Sequence, residues 1–290
     1  MITIFTTPRP FTGEFYNIQL NAIKSWMSLG SGLQIILVND EEGTTQKVAD
    51  ELNLTIINDY NSNENGTPIL DDIFNRVKAL SIYEILAHVN TDIILFPDFI
   101  KSIDYLYKNI NHNNFLIMGR RWDMNVESSL DFDDISSFLN LRESIKKRGK
   151  LHGPSGLDYW VFPKKSSIKV PPFCVGRPGM DPWLIYEAKR QRIPVIDATE
   201  IITALHQNHG YPKKKLSYFE VECLHNVLMA GGRSNMVTLR EADFIVTANN
   251  IIQKPNFARR TLGFLSKFYI WRRVLGIKRN IQSYISKLSR

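Results

Sequence analysis

The sequence predicts an α/β domain with a mostly parallel central sheet. Over the first hundred residues, apolar strand-like runs alternate with segments whose apolar residues recur every three or four positions. Polar residues also follow directly on two of the buried strand-like runs, where open α/β sheets bind ligands. A chain of 290 residues with 43% hydrophobic content can bury the core of such a domain.

The elements of the first hundred residues follow in a regular order. Strands rich in Ile, Leu and Val are predicted at 2–6, 34–38, 54–57 and 85–89. Helices are predicted at 14–29, at 44–52 with Thr44 as N-cap, and from Thr67-Pro68, where an N-cap hydroxyl precedes a proline at the first helical position. The fourth strand runs straight into Asn90-Thr91-Asp92.

The remaining elements are read in the same way. Helices are predicted at 98–109, 133–147 and 182–191, and strands at 115–118, 157–162 and 195–198. Residues 204–211 are predicted to form a loop carrying two histidines. Asp181 precedes Pro182, so it either caps the next helix or points into a site.

Charge is distributed unevenly along the chain. The net charge is +7, but residues 257–290 hold nine Lys or Arg and no acid, so removing those nine charges leaves −2 for residues 1–256. A nearly neutral body argues against nucleic-acid binding by the whole domain. Two cysteines without metal-ligand spacing indicate neither a disulfide framework nor a zinc site. No apolar run is long enough for a membrane span and no cationic leader is seen, which favours a cytosolic protein.

Residues 256–290 are predicted to form a basic amphipathic helical tail. Its apolar residues recur at three- and four-residue spacing at Ile270, Val274, Ile277, Ile281, Tyr284 and Leu288. The tail is therefore expected to bind an anionic membrane surface, which would place the protein peripherally at the cytoplasmic face. The alternative is a helix packed on the parent domain or on a second subunit.

The order of these motifs resembles the nucleotide-sugar half of GT-A glycosyltransferases. The motifs are Asn39-Asp40 after the second strand, the helix opened by Thr67-Pro68, Asn90-Thr91-Asp92, and Asp181 about ninety residues further on. The resemblance covers residues 1–211. It implies a single GT-A-like domain at 1–255, with a nucleotide-sugar-binding half at 1–119 and an acceptor-binding half at 120–255. It also implies transfer of a sugar from a nucleoside-diphosphate sugar, most often a uridine one, to a glycan or lipid-linked acceptor.

By this resemblance, Asn90-Thr91-Asp92 stands where the family has an Asp-x-Asp element that holds Mn²⁺ or Mg²⁺ on the donor diphosphate. Asn90 replaces the first acid, so Asp92 is the principal candidate ligand. His206, in the predicted late loop, is expected to complete the metal shell. The alternative for Asn90 and Asp92 is an Asx turn, and for His206 a solvated or structural histidine.

Donor-binding residues follow from the same resemblance. Thr6 and Thr7 are expected to line the nucleotide pocket, together with Asn90, and Asp40 is expected to face the base or ribose. Arg76 is expected to reach the same nucleotide. The alternatives are an ordinary turn at Asp40 and an exposed helical arginine at Arg76.

Asp181 is the candidate general base, because deprotonating an attacking hydroxyl needs a positioned carboxylate. Asp158, Trp160 and Trp183 are expected to bind the acceptor, since aromatic rings stack on sugar faces and an acid accepts hydroxyl hydrogen bonds. Burial of Trp160 in the core is the competing expectation.

Two other functions remain open at this point. A sugar-phosphate nucleotidyltransferase shares the alternating opening, but Thr7-Pro8-Arg9-Pro10 is a poor phosphate-binding loop. A catalytically inactive GT-A-like module on a membrane is favoured only by Asn90 in place of an acid.

Overall fold

The computed structural model describes residues 1–110, 113–126, 129–132, 134–210, 218–248 and 250–254. The helices are α1 Glu14–Met27, α2 Thr44–Leu52, α3 Leu70–Leu80, α4 Asp98–Asn109, α5 Ile135–Arg148, α6 Met180–Arg190 and α7 Phe219–Met229. The strands are β1 Ile2–Thr6, β2 Leu33–Val38, β3 Thr55–Ile57, β4 Ile85–Val89, β5 Ile93–Leu95, β6 Leu116–Met118, β7 Trp122–Met124, β8 Lys150–Leu151, β9 Tyr159–Pro163, β10 Val195–Asp197, β11 Ala204–Gln207, β12 Phe244–Val246 and β13 Ile251–Gln253.

Within the described residues, nine strands form the main sheet in the order β13-β12-β10-β6-β9-β4-β1-β2-β3. Five of its pairings are parallel, and the antiparallel ones involve β9 and the edge strand β13. The predicted α/β fold with a mostly parallel sheet is therefore confirmed. Strands from both predicted halves of the domain share this sheet, and the boundaries at 119 and 255 stay predictions.

Apolar side chains cover both faces of the main sheet. One face carries Ile4, Leu37 and Ala87 and packs against α1 and α4 through residues such as Trp26 and Phe99. The other face packs against α3 and α6. Strands β1 and β4 are buried along their whole length, as expected for central strands of a sheet covered on both sides.

A second, four-stranded sheet lies beside the first in the order β5-β11-β7-β8. Strand β11 pairs antiparallel with β5 and parallel with β7. A smaller apolar cluster that includes Phe96, Met124, Ile145 and Leu205 packs this sheet against α5. The sheet matters for function because it carries residues 204–207 to the end of the main sheet.

Two local predictions are wrong. The helix expected from Thr67-Pro68 begins at Leu70, and the hydroxyl of Thr67 donates to buried Glu222 at 2.7 Å instead of capping a helix. Residues 204–207 form a strand, because their backbone completes a ladder between β5 and β7 that distant residues provide. Of the two alternatives for Asp181, the N-cap is excluded, because Gly179 occupies that position and Asp181 lies in the first turn of α6.

The predicted basic tail at 256–290 lies outside the described residues. None of the helices in the described ranges is both long and apolar enough to cross a membrane.

Candidate functional site

A cleft of about 380 Å³ opens at the carboxyl ends of β1 and β4. From β1 the chain runs to β2 and β3 on one side, and β4 then returns to the other side of β1. The direction of winding therefore reverses between β1 and β4, which is where open α/β sheets leave a ligand-binding crevice. Thr6 and Thr7 line this cleft from β1, and Asn90, Thr91 and Asp92 line it from the end of β4.

Asp92, His206 and His209 form a candidate cation site in the cleft. One donor atom from each of the three residues lies within 4.8 Å of the other two. Asp92 Oδ2 is 3.5 Å from Nε2 of His206 and 3.3 Å from Nε2 of His209. Nδ1 of His209 is 3.0 Å from the carbonyl oxygen of Gly210, which can hold the ring proton on Nδ1 and leave Nε2 facing Asp92.

The residues of this cluster suit a divalent cation. Asp92 Oδ1 is buried and has no hydrogen-bond partner in the described part of the chain, so a carboxylate lone pair is unsatisfied inside the cleft. Although burial raises the pKa of Asp92, hydrogen bonds with His206 and His209 bring the pKa well below its usual range, so the group is anionic. One carboxylate and two imidazoles are a donor set that transition metals accept more readily than Mg²⁺ does.

A second carboxylate, Asp158, lies beside the cation site. Asn90 Nδ2 donates to Asp158 Oδ1 at 2.7 Å, and Arg121 donates to Asp158 Oδ2 at 2.9 Å. Pairing of β4 with β9 continues past the strands, since the backbone N–H of Asn90 donates to the carbonyl of Asp158. Burial and the charge of Asp92 raise the pKa of Asp158, and Arg121 opposes that shift. Asn90 therefore supports a carboxylate that lies 68 residues further along the chain, immediately before β9.

Asp181 reaches the same cleft from the first turn of α6. Its side chain is accessible through the cleft but is otherwise surrounded by protein. Burial, and next the charge of Asp158, raise the pKa of Asp181 to about 8. A carboxyl group that holds its proton near neutral pH is matched to proton transfer.

Two further arginines, Arg9 and Arg177, line the cleft. Arg177 donates through Nε to Oε2 of Glu222 at 2.7 Å, and Glu222 is only 2% exposed. Asn63 and Thr67 also donate to Glu222, so the arginine is held on a rigid polar support. Arg9 is exposed, and its guanidinium carbon lies 4.9 Å from the ring centroid of Phe15.

Seven of the residues predicted for the site line this cleft. They are Thr6, Thr7, Asn90, Asp92, Asp158, Asp181 and His206. The structure thus brings together the residues predicted for the cation, the base and part of the donor and acceptor subsites, although their roles stay predictions.

Asp40 and Arg76 do not line the cleft. The carboxylate of Asp40 accepts from the backbone N–H groups of Thr44 and Thr45, at 3.3 and 2.6 Å, and so caps α2. These hydrogen bonds outweigh burial and lower the pKa of Asp40. Arg76 pairs with Asp72 at 2.8 Å and with Asp59 at 3.2 Å. Their donor-binding role conflicts with this geometry, because local partners already occupy both side chains.

The two predicted acceptor tryptophans do not line the cleft either. Trp160 is 0% exposed and stacks on Phe74 and His88, with ring centroids 5.6 and 4.7 Å apart. Trp183 is 6% exposed and packs edge-on against Phe173. Neither ring offers a face to a sugar, so stacking on the acceptor is corrected to packing in the core.

Several residues of the cleft are not among those that the sequence predicts for the site. His209 was visible as the second histidine of His206-Gln207-Asn208-His209 but was not assigned to the cation site. Arg121 could be seen only as one of two adjacent arginines after a strand. Arg9, Phe15 and Arg177 carry no local signal, because their contacts lie with residues distant in sequence or on other elements.

The fold and the cleft together define an α/β domain with a switch-point cleft and a candidate cation site. No protein-family model matches the chain, and no curated protein matches it. Among solved structures, the chain is similar to glucosyl-3-phosphoglycerate synthase from Mycobacterium tuberculosis, with 13% identity and a TM-score of 0.48 over 80% of this chain and 81% of that one.

The chain is also similar to TarS from S. aureus in complex with UDP-GlcNAc, with 12% identity and a TM-score of 0.47 over 79% of this chain and 70% of that one. For TarS in complex with UDP the values are 13% and 0.33, over 44% of this chain and 37% of that one. The chain thus spans well under half of that TarS structure. At these values the similarities assign no function, and the cleft residues carry the proposal.

We expect Asp181→Asn to stabilise the protein, and increasingly so between pH 4 and pH 8. In this range the folded protein keeps the Asp181 proton and the unfolded chain releases it, so stability falls as pH rises towards the folded pKa of about 8. Asparagine is neutral throughout and removes that loss. Thermal unfolding at pH 5 and pH 8 measures the effect, because each kcal/mol of unfolding free energy shifts the melting temperature by about 2 to 4 °C.

Asp104→Asn is the matched control, because Asp104 is an exposed aspartate on α4. It should leave the difference between the two pH values unchanged. A lower melting temperature for Asp181→Asn at pH 8 would contradict the burial of Asp181 described above.

Proposed function

We propose that this protein is a glycosyltransferase that moves a sugar from a nucleoside-diphosphate sugar to an acceptor hydroxyl with the help of a divalent cation. The observation that carries the proposal is the cleft itself. A cation cluster of Asp92, His206 and His209 and a separate carboxyl group at Asp181 share one cavity at the topological switch point. Such a cavity suits a nucleotide sugar whose phosphates bind a cation and whose sugar lies near a general base.

The donor diphosphate would lie against Asp92, His206 and His209. A bound Mn²⁺ or similar cation would stabilise the negative charge that develops on the leaving nucleoside diphosphate. Arg177 lies on the cleft wall with its charge held by buried Glu222, and it is placed to contact a phosphate or sugar oxygen. Thr6 and Thr7 would contact the nucleoside from the end of β1.

Asp181 would accept the proton of the acceptor hydroxyl as that oxygen attacks the anomeric carbon. Its raised pKa, caused by burial and by Asp158, makes the ionised carboxylate a stronger base than an exposed aspartate. Direct attack by an acceptor that a single base activates inverts the configuration at the anomeric carbon.

Nucleotidyl transfer is less well supported by the loop after β1. That reaction needs backbone amides arranged around a phosphate. Here Pro8 and Pro10 have no N–H, and the N–H of Arg9 already donates to Gln19 Oε1 at 2.8 Å. The side chain of Gln19 on α1 also donates to the carbonyl of Arg9, so both backbone polar groups of Arg9 are bonded to that helix.

An inactive binding module is also less well supported. Asn90 was the feature that favoured it, because one acid of the Asp-x-Asp pattern is missing. In the structure, Asn90 donates to Asp158, so the cleft keeps three carboxylates at Asp92, Asp158 and Asp181. Burying three acids in one cavity costs stability, and a protein without chemistry or a cation to bind there has no need of them.

Asp92→Ala is expected to abolish cation-dependent transfer. Removing the carboxylate of the cation cluster leaves only two imidazoles, and loss of the cation's charge stabilisation should lower kcat/KM by at least about a hundredfold. Donor hydrolysis and transfer with a panel of nucleotide sugars and added Mn²⁺ or Mg²⁺ measure this. Near-normal, metal-dependent turnover in the folded variant would contradict the assignment of Asp92 as a cation ligand. Asp104→Ala is the control, because Asp104 is exposed.

Asp181→Asn is expected to lower kcat by at least about a hundredfold while donor affinity changes little, since an amide keeps the shape but cannot take a proton. In the unmodified protein, kcat/KM should rise with pH up to about 8, because only the ionised carboxylate is a base. Steady-state kinetics from pH 6 to pH 9 test both statements. A variant that keeps the same pH profile and rate would remove Asp181 from the mechanism.

We also propose that the protein works at the cytoplasmic face of a membrane on a lipid-linked acceptor. Nine Lys or Arg without an acid in residues 257–290 support attraction to anionic lipid. Helix α7 adds a second argument, because it turns polar Glu222 and Asn226 inward and apolar side chains outward. Its outward residues Val221, Leu224 and Leu228 are 65%, 58% and 63% exposed. Glu222 on the inward face holds Arg177 on the cleft wall, so helix α7 is packed against that wall.

Co-sedimentation with anionic vesicles tests the membrane proposal. The full chain should bind phosphatidylglycerol vesicles and lose binding in high salt, because surface charges are screened. Arg272→Glu/Arg273→Glu/Lys278→Glu and Leu224→Gln/Leu228→Gln should each weaken binding by about tenfold or more. Ile82→Gln is the control, since Ile82 is 71% exposed and precedes β4, at the end of that strand away from the cleft. Equal sedimentation of all four proteins would overturn the proposal.

A further inference from the structure

Asp123 is a carboxylate next to the cation cluster, and it is not among the residues predicted for the site. Its Oδ2 lies 2.7 Å from Nδ1 of His152, and its Oδ1 lies 3.2 Å from Nδ1 of His206. The two histidines therefore approach the two oxygens of one carboxylate. Because His206 also faces Asp92 through Nε2, a continuous polar path runs from the cleft to His152, whose side chain is 38% exposed.

Backbone pairing places Asp123 and His206 side by side. The two residues are register partners in the parallel pairing of β7 with β11. Register partners in a sheet project their side chains to the same face, so the ring and the carboxylate are neighbours by construction. The contact therefore depends on the strand β11, which the sequence had suggested to be a loop.

Asp123 is itself held in place. Arg121 Nε donates to Asp123 Oδ1 at 2.8 Å, and the same guanidinium donates to Asp158 through its other arm. His152 contacts the second oxygen of Asp123. Asp123 therefore has a hydrogen-bond partner on each oxygen, which fixes the position of its carboxylate.

His206 needs an acceptor at Nδ1. The ring is 5% exposed, and Nδ1 is buried without a well-aligned hydrogen bond among the described residues. The Asp123 oxygen at 3.2 Å is within reach after a small rotation of the ring. His209 shows the same arrangement, because its Nδ1 has the Gly210 carbonyl oxygen at 3.0 Å while Nε2 faces Asp92.

We propose that Asp123 is a positioning residue that holds His206 with its proton on Nδ1, so that the Nε2 lone pair points to a divalent cation on Asp92. The proposal rests on the cation site of the proposed function. An acceptor behind a metal-binding histidine fixes the tautomer and the ring orientation, and losing it typically weakens metal affinity by about 10- to 100-fold.

Mn²⁺ titration of the full chain by calorimetry, without nucleotide, tests this role. Asp123→Ala should weaken Mn²⁺ binding by about 10- to 100-fold. Asp123→Asn should bind Mn²⁺ much better than Asp123→Ala, because its amide oxygen can still accept from His206 while its NH₂ faces His152. His152→Ala is the matched control and should stay close to the unmodified protein, since Arg121 still holds Asp123.

A double-mutant cycle with His206→Ala separates positioning from simple charge attraction. If Asp123 acts through His206, then Asp123→Ala/His206→Ala binds Mn²⁺ no more weakly than His206→Ala alone. Fully additive losses, or unchanged affinity in Asp123→Ala, would overturn the positioning role and leave the cation site standing. Absence of Mn²⁺ binding by the unmodified chain would overturn both. Thermal unfolding in EDTA confirms that each variant is folded.

Discussion

The constraint on which this site depends is the gathering of carboxylates in one partly buried cleft. Asp92, Asp158 and Asp181 all line it, and each charge there disfavours the next. Each of the three carboxyl groups has different partners in the structure. Two histidines keep Asp92 ionised, Arg121 and Asn90 hold Asp158, and Asp181 keeps its proton to about pH 8. Three chemically identical side chains thereby acquire different protonation behaviour, which is what cation binding and proton transfer in one cavity require.

Sheet pairing delivers these partners. Antiparallel pairing of β4 with β9 sets Asn90 beside Asp158, and β11, between β5 and β7, sets His206 beside Asp92 and Asp123. His206 lies on β11 itself, Asp92 lies between β4 and β5, and His209 follows β11 by two residues, so strand pairing brings donor atoms of the three residues within 4.8 Å of one another. Helix α6 then adds Asp181 from its first turn, and α7 supports Arg177 through buried Glu222. The polar face of α7 thus packs against the cleft wall, and the apolar face of the same helix is exposed.

This arrangement also explains why an amide, and not an acid, suits position 90. A carboxylate at position 90 would face Asp158 Oδ1, now 2.7 Å from the amide nitrogen, and two acids at that distance would not both ionise. An amide donates a hydrogen bond there and keeps Asp158 in place. The cleft therefore has its second acid at Asp158, immediately before β9, instead of in the Asn90-Thr91-Asp92 element. Two histidines supply the remaining donors near Asp92.

The sequence by itself determined the α/β architecture, most element positions and seven residues of the cleft, because apolar periodicity and polar strand ends are local signals. Helices 44–52 and 98–109 and strand 85–89 lie where the pattern predicted them. Only the tertiary structure decided that residues 204–207 are a strand, that Trp160 is core, and that Asp40 and Arg76 are occupied by neighbours. It also added His209, Arg177 and Asp123. Those outcomes depend on contacts between residues far apart in the chain, such as Asp92 with His209 across 117 positions, and no local pattern encodes them.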